Sequence, residues 1–291
     1  MTVVQFIVTG LLVGGVYALI SSGLGLIFGV MRIVNFAQGD FMMLAMFASY
    51  LFWVGPRINP LLSVPIVFGV FVLLGIIVYR YLVGPVAGHR ENHDAQVILT
   101  LGVGLVLQNV MLLAFGSTPR LMSIPALEFG FNVGGVYIDG PRLIGFIAAA
   151  VTATVLFWFL RHTILGRAIR AASENWEAAT YMGINLRKTY AVSFGIGIGL
   201  TAIGGAALSM YQPVGPFVGL NFTVIMFAAV VLGGLGSVSG AFVGGVIIGI
   251  VQSVSQVWSP STLANVYVFA IFLIVLLVRP QGLFGRKQRA I

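Results

Sequence analysis

Residues 161–188 read RHTILGRAIRAASENWEAATYMGINLRK, the longest polar interval in a very apolar chain. Arg161, Arg167, Arg170, Arg187 and Lys188 are opposed there only by Glu174 and Glu177. Apolar runs bracket the stretch, Leu143–Leu160 before it and Tyr190–Tyr211 after it. Each charged side chain at a bilayer centre costs about 2.5 kcal/mol or more, so this stretch cannot lie in lipid. It reads as a basic, water-facing loop between membrane spans, and as a surface where those spans meet a soluble partner.

The rest of the composition agrees. Of 291 residues, 59% are hydrophobic and 8% charged, where a soluble domain carries about 25% charged residues. The mean hydropathy is +1.07. Several apolar runs approach the ~20 residues that cross a ~30 Å hydrocarbon core. They exceed the ~10-residue alternating segments of an outer-membrane barrel, and helices are the other way to satisfy the backbone in lipid. The expected fold is all-α, a polytopic helical membrane protein forming one transmembrane domain over residues 1–291. The net charge of +8 fits positively charged cytoplasmic loops. Nucleic acid is excluded as a partner, because no basic run is interleaved with aromatics. With no cysteine, disulfides and thiolate metal sites are excluded. His89, His93 and His162 stand apart in polar loops, so no metal site is expected. The opening MTVVQFIVTG lacks a positive region and reads as a retained span.

Taken in order, Val3–Val30 is apolar, with Gly10/Gly14 and Gly25/Gly29 at the small-xxx-small spacing that lets helices approach closely. A dense polar break, Met31–Asp40, precedes the short run Phe41–Val54. Further runs follow at Leu61–Leu82, Ala95–Phe115 and Leu143–Leu160, with a weakly hydrophobic external loop at Gly116–Asp139. Beyond the basic loop come Tyr190–Tyr211, Val224–Leu232, Ala241–Val257 and Leu263–Val278, then a basic tail. Placing the basic loop and the tail in the cytoplasm requires an even number of crossings between them. Gly233–Gly240 must then be a cytoplasm-side hairpin. This puts every Lys and Arg except Arg57, Arg120 and Arg142 inside. The result is an external N-terminus, a cytoplasmic C-terminus, and nine spans, or eight with a re-entrant element. Segments 24–54 and 224–257 share a shape, apolar run, Gly-rich break, apolar run, that suggests an internal repeat.

Several positions carry candidate chemistry. Asn35, Gln38 and Asp40 form a polar cluster at an expected membrane boundary, with Asp40 directly before an apolar run. They read either as helix capping or as part of a conduit or gate. Gln108 and Asn109 sit inside a span, either bonded to a neighbouring helix or facing the conduit or a second subunit. Every other Asp and Glu, like Asp40, falls at or beyond a span end. Gly233, Gly234, Gly236 and Gly240 lack the Gly-Lys-Ser/Thr ending of a phosphate-binding loop, and with Gly244 they read as tight helix contacts. Gly197–Ala202 fits a dinucleotide fingerprint formally but lies in an apolar span, and is dismissed. In the basic loop, Glu177, Ala178, Ala179 and Gly183 spell E-A-A-x-x-x-G. Small residues after a charged start suit a short helix, expected over 173–183, that fits a groove on a partner, and glycine suits its end.

That pattern resembles the coupling loop of ABC-importer membrane subunits, although the downstream I-x-L-P element is replaced by Tyr190-Ala191-Val192-Ser193. More of the chain makes the resemblance specific. Gly15–Ile20 with Val34–Asp40, Gly166–Ala171 with Ala179 and Met182–Asn185, Val231–Ala241, and Arg279–Gly285 are similar, in order, to blocks of the branched-chain amino-acid ABC permease family of the LivH type. Gln38 stands where many members carry histidine and Asp40 where glutamate is usual; both changes keep hydrogen-bonding capacity.

The resemblance implies a permease subunit of an ABC importer in a bacterial inner membrane, carrying branched-chain or related amino acids. It implies a second homologous permease, two ATP-binding subunits docked on 161–188 through Arg167, Arg170, Glu174, Glu177, Ala178, Ala179 and Gly183, and a periplasmic binding protein. The chain has no P-loop of its own, so it is expected to be no enzyme and to bind no cofactor, ATP being used by the partners. One alternative is a sibling importer of urea or short amides. Another is a stand-alone secondary transporter, which calls for intramembrane carboxylates.

Overall fold

The computed structural model describes residues 2–57, 60–87, 93–122, 124, 129–260, 263–279 and 281–285. Of the polar loop expected at Gly88–Asp94, residues 88–92 lie outside the described residues, as do the tail cations Arg286, Lys287 and Arg289, while His93 and Asp94 begin a helix. Six helices are long and apolar enough to cross a membrane among those described, and further apolar helices are shorter.

Helix α1 (Thr2–Met31) is the axis. From Val16 to Ile27 it is buried on every side, as a helix apolar all round should be. Its glycines explain how. A Cβ on Gly10 would sit 2.7 Å from the Ile250 Cα, and one on Gly14 2.8 Å from the Val246 oxygen. The structure thus sets α1 nearly backbone to backbone against α11 (Val238–Ser255). Helix α9 (Leu186–Leu208) is the second buried element, between α1 and α3 (Pro60–Val78). The third run was expected to stop at Gly84-Pro85. Instead a π-helical turn, Tyr79–Val83, in which the Gly84 N–H bonds the Tyr79 oxygen, carries the helix into α4 (Gly84–Ala87). The wider turn absorbs a proline that a regular helix tolerates poorly.

The outer elements are α5 (His93–Phe115) and α6 (Gly140–His162). Between them stands a two-stranded hairpin, β1 (Gly130–Val133) and β2 (Val136–Asp139). Its two-residue loop, Gly134-Gly135, has positive φ at both positions, the turn that matches strand twist. The Gln5 amide clamps it to α1, donating to the Tyr137 carbonyl and accepting from the Tyr137 N–H, both at 2.7 Å.

Helices α2 (Gln38–Val54), α10 (Val218–Gly233) and α12 (Ala264–Val278) are short. At ~1.5 Å per residue, α2 and α10 span only about 25 Å each. The segment expected as a hairpin is a tight turn, Gly234–Ser237, joining α10 to α11. Gly234 and Gly236 take positive φ there, and Ser237 caps α11 by accepting from the Gly240 N–H. Segment 24–54 has no such turn. Its break is an irregular stretch at 32–35 followed by a turn at Phe36-Ala37, so the two breaks of the suggested repeat differ in form.

Candidate transport site and docking loop

The polar break after α1 does not stay at the end of the bundle. Arg32 takes a left-handed conformation, φ 56, and turns the chain back along α1. Five residues, 33–37, then run without helix to Gln38. Phe36 and Ala37 turn the chain into α2. Gln38 lies beside the middle of α1, as its bonds show. Its Nε2 donates to the Thr201 Oγ1 at 2.5 Å and the Gly197 carbonyl at 3.3 Å, and Thr201 in turn donates to the Ile20 carbonyl.

The expectation of a boundary cluster is therefore corrected: Asn35, Gln38 and Asp40 are all buried inside the bundle. So is the expectation that every carboxylate falls at or beyond a span end, because Asp40 is only 3% exposed and level with mid-helix residues. Helix α2 begins deep in the protein. The backbone of the passage is satisfied locally, as burial demands. The Phe36 N–H donates to the Thr100 Oγ1, which donates to the Val34 carbonyl, and the Ala37 N–H donates to the Asn35 Oδ1. Asn35 Nδ2 donates to the Gln38 Oε1 at 2.8 Å.

Asp40 is not an N-cap. The cap is Ala37, with no side-chain bond, and Asp40 sits in the first turn, where a negative charge is favoured by the helix dipole. Gln108 Nε2 donates to its Oδ1 at 2.8 Å, an interhelical bond from α5. Asn109, its neighbour, points away, donating to the Leu105 carbonyl on the exposed face. The structure brings Gln108 to the cluster and leaves Asn109 out.

Glycines make the meeting possible. A Cβ on Gly39 would strike the Gly219 carbonyl and the Thr223 Oγ1, and one on Gly104 would strike the Asp40 Oδ2. Two helix N-termini, those of α2 and α10, abut at Gly39 and Gly219. From there α2 runs towards the end holding Tyr50, Trp53 and Tyr211, and α10 towards the end holding the basic loop. Thr100, Gly104 and Gly219 are not marked by any sequence motif, and Gly197 and Thr201 stand out only in the dinucleotide-like pattern dismissed above. The one signal was a polar residue, Thr100 or Thr201, amid the apolar residues of a span.

At the far end of the bundle the basic loop folds as two helices, not one over 173–183. They are α7 (Ile164–Glu174) and α8 (Trp176–Tyr181). Asn175 makes the corner: its backbone is extended and its Oδ1 accepts from the Ala178 N–H at 3.0 Å. Helix α7 buries Gly166, Ile169 and Ala172 and exposes Arg167 and Arg170. In and beside α8, Ala179 is buried while Glu177, Ala178 and Gly183 are exposed, with Glu174 exposed at the end of α7. Gly183, at φ +82, lets the Ile184 N–H turn back to the Ala179 carbonyl. The tip carries Tyr181 and Met182, 89% and 83% exposed. Behind it is an open vestibule of about 1330 Å³, lined by Arg32, Arg80, Glu177, Arg187 and Lys188 among others.

The expected glycine contacts form a second close-packed joint at this end. A Cβ on Gly233 would strike the Gly240 carbonyl, and one on Gly244 the Ala229 carbonyl. Residues 281–285 lie on this turn, Leu283 N–H donating to the Leu232 carbonyl at 2.9 Å and Phe284 N–H to the Gly233 carbonyl at 3.0 Å. Among the described residues, no group of three or more His, Asp and Glu side chains is placed to hold a metal.

A bundle with six helices long and apolar enough to cross a membrane among the described residues, and a buried polar knot where short helices begin, is that of a multi-pass membrane protein. The particular kind is given by comparison. The family described as "Branched-chain amino acid transport system / permease component" matches residues 6–278, and the chain belongs to it. It is 30% identical to the high-affinity branched-chain amino acid transport system permease protein LivH of Salmonella typhimurium and to BraD of Pseudomonas aeruginosa, each alignment covering 98% of this chain and 96% of the relative. It is also similar to the probable branched-chain amino acid transport permease protein LivM of Methanocaldococcus jannaschii, 23% identical over 79% of this chain and 71% of that one. No solved structure matches.

Proposed function

We propose that this chain is a membrane-spanning subunit of an ABC importer, bringing a branched-chain or related amino acid from a periplasmic binding protein across a bacterial inner membrane. The observation that carries the reading is the family match over residues 6–278 together with a loop whose tip, Tyr181 and Met182, is 89% and 83% exposed. The orientation is N-terminus outside and C-terminus inside, with nine crossings in which α2 and α10 serve as short spans. That arrangement puts Arg32, Arg80, Arg161, Arg167, Arg170, Arg187, Lys188 and Arg279 on the cytoplasmic side. Two ATP-binding subunits dock on α7–α8 and use the ATP, and a second, homologous permease completes the conduit. The pairing of LivH-type and LivM-type names among the relatives supports a heterodimer.

Closure of the ATPases would push α8, which moves α6 and α9 on either side of the loop. Substrate released by the binding protein then enters between the permeases. The test is reconstitution of the chain with its partner subunits in liposomes. ATP-dependent uptake of labelled leucine, valine or isoleucine is expected, and Glu177→Ala with Gly183→Val should hydrolyse ATP without uptake. Transport by this chain alone would refute the reading, and uptake of urea or acetamide in place of amino acids would reassign the substrate.

A further inference from the structure

Beside the polar knot lies a cavity of about 390 Å³ between α2, α5, α10 and α12. Its volume is in the ~300–1,000 Å³ range of small-molecule sites. Its walls are apolar, with Phe227, Phe269 and Phe272 among them, and its polar points are Asp40, Gln108 and Thr223. Thr223 is turned inward on its own helix, donating to the Gly219 carbonyl. Gln108 is spent on the Asp40 Oδ1. The other carboxylate oxygen, Oδ2, packs against Gly104, where a side chain would strike it, and the carboxylate forms part of the cavity wall. A buried carboxylate against aromatic walls is the surroundings an ammonium group seeks, by ion pairing and by the faces of the rings.

Resting on the function proposed above, the geometry points to this cavity as a binding subsite within the membrane for an α-amino acid with an aliphatic side chain. Asp40 holds the ammonium group and the phenylalanines hold the side chain. Gln108 is a positioning residue, holding the Asp40 carboxylate in the cavity wall through its bond to Oδ1. The mouth opens on an exposed apolar face near Leu105 and Leu220, so the ligand enters along the seam with the second permease. A subsite of this kind discriminates by charge: urea and neutral amides carry no ammonium group to pair with Asp40.

The test uses the assembled importer in nanodiscs without its binding protein, and measures saturable binding of labelled leucine. Isoamylamine, which keeps the ammonium group, should compete; isocaproate, which lacks it, should not. Asp40→Asn should weaken leucine binding about tenfold or more, the loss of one charge-assisted contact. Leu105→Trp, which fills the mouth and leaves Asp40 and Gln108 in place, should do the same, so the proposal does not depend on whether Asp40→Asn folds. Absence of saturable binding, equal competition by isocaproate, or unchanged binding in both variants would overturn the subsite. Uptake with the binding protein, measured in parallel, separates the two claims. Uptake with unaltered binding in both variants overturns the subsite alone. Leucine bound at Asp40 but never taken up overturns the importer reading and leaves the subsite.

Discussion

Truncating the loop tip, Tyr181→Ala with Met182→Ala, should separate docking from folding. In the chain the two side chains are 89% and 83% exposed, so removing them forfeits almost no burial. The change in stability should stay within about 0.5 kcal/mol, as for other surface substitutions. In a complex the balance differs. A docked tyrosine buries roughly 150–250 Å², which at ~25 cal/mol per Å² is at most about 4–6 kcal/mol. Ordering the loop and desolvating its rim reduce that figure. Buried aromatic anchors still cost about 2 kcal/mol or more when truncated, roughly 30-fold in affinity. The assay is ATPase binding to nanodisc-held permease, with thermal unfolding of the same preparation as control. An affinity within about threefold of the parent at unchanged melting temperature would show that α8 is not the docking surface. A large fall in melting temperature would show instead that the tip is buried in a way this structure does not have.

Gly39→Val should destabilise the bundle by about 2 kcal/mol or more, the range of overpacked cores, because its Cβ would strike the Gly219 backbone. Gly102→Ala, with nothing within 4 Å of the added carbon, should instead be neutral or stabilising by up to about 1 kcal/mol through helix propensity; melting in detergent compares the two. A double-mutant cycle of Gln38→Leu and Thr201→Val should give a coupling of about 0.6–1.7 kcal/mol, the range for interhelical bonds in membranes, and additive effects would mean the bond contributes nothing. Gly282→Val, at φ +77 and with a Cβ only 2.5 Å from the Gly234 Cα, should lift residues 281–285 off the α10–α11 turn and quicken their proteolysis, with little change in the bundle's melting.

Much of this fold was legible because lipid leaves few options. Charge and hydropathy placed the basic loop, and glycine spacing marked where α1 would lie against α11 and where α10 would turn into it. The depth of Asp40 was not legible. A polar run between apolar runs reads as a boundary, and only tertiary partners make it something else. Here Thr100 and Thr201, on the apolar helices α5 and α9, satisfy the groups that water would otherwise satisfy. The short run 41–54 was the remaining hint, since a helix of 17 residues that starts mid-bundle need not cross the full core. The corner at Asn175 was equally hidden. Asn is a strong cap, but E-A-A-x-x-x-G reads as one helix until the cap is seen to break it.

The two sites share one rigid element. Helix α9 begins at the Asn185 cap, four residues beyond the exposed end of α8, and its start is pinned by the Asn185 Oδ1 accepting from the Lys188 N–H at 3.0 Å. Twelve and sixteen residues along, Gly197 and Thr201 hold the Gln38 amide. An α-helix is stiff over that distance, about 20 Å at ~1.5 Å per residue. A push on α8 that tilts α9 must therefore either carry the start of α2 with it or break the Gln38 bonds. Carrying it would shift Asp40 relative to Gly219 on α10, where a Cβ would already be 2.8 Å from the Asp40 Oδ1. Breaking it would expose an amide and a hydroxyl to the bundle interior, a cost that water entering an opened conduit would meet. Either outcome couples the loop to the polar knot through bonds that the Gln38 and Thr201 cycle measures directly.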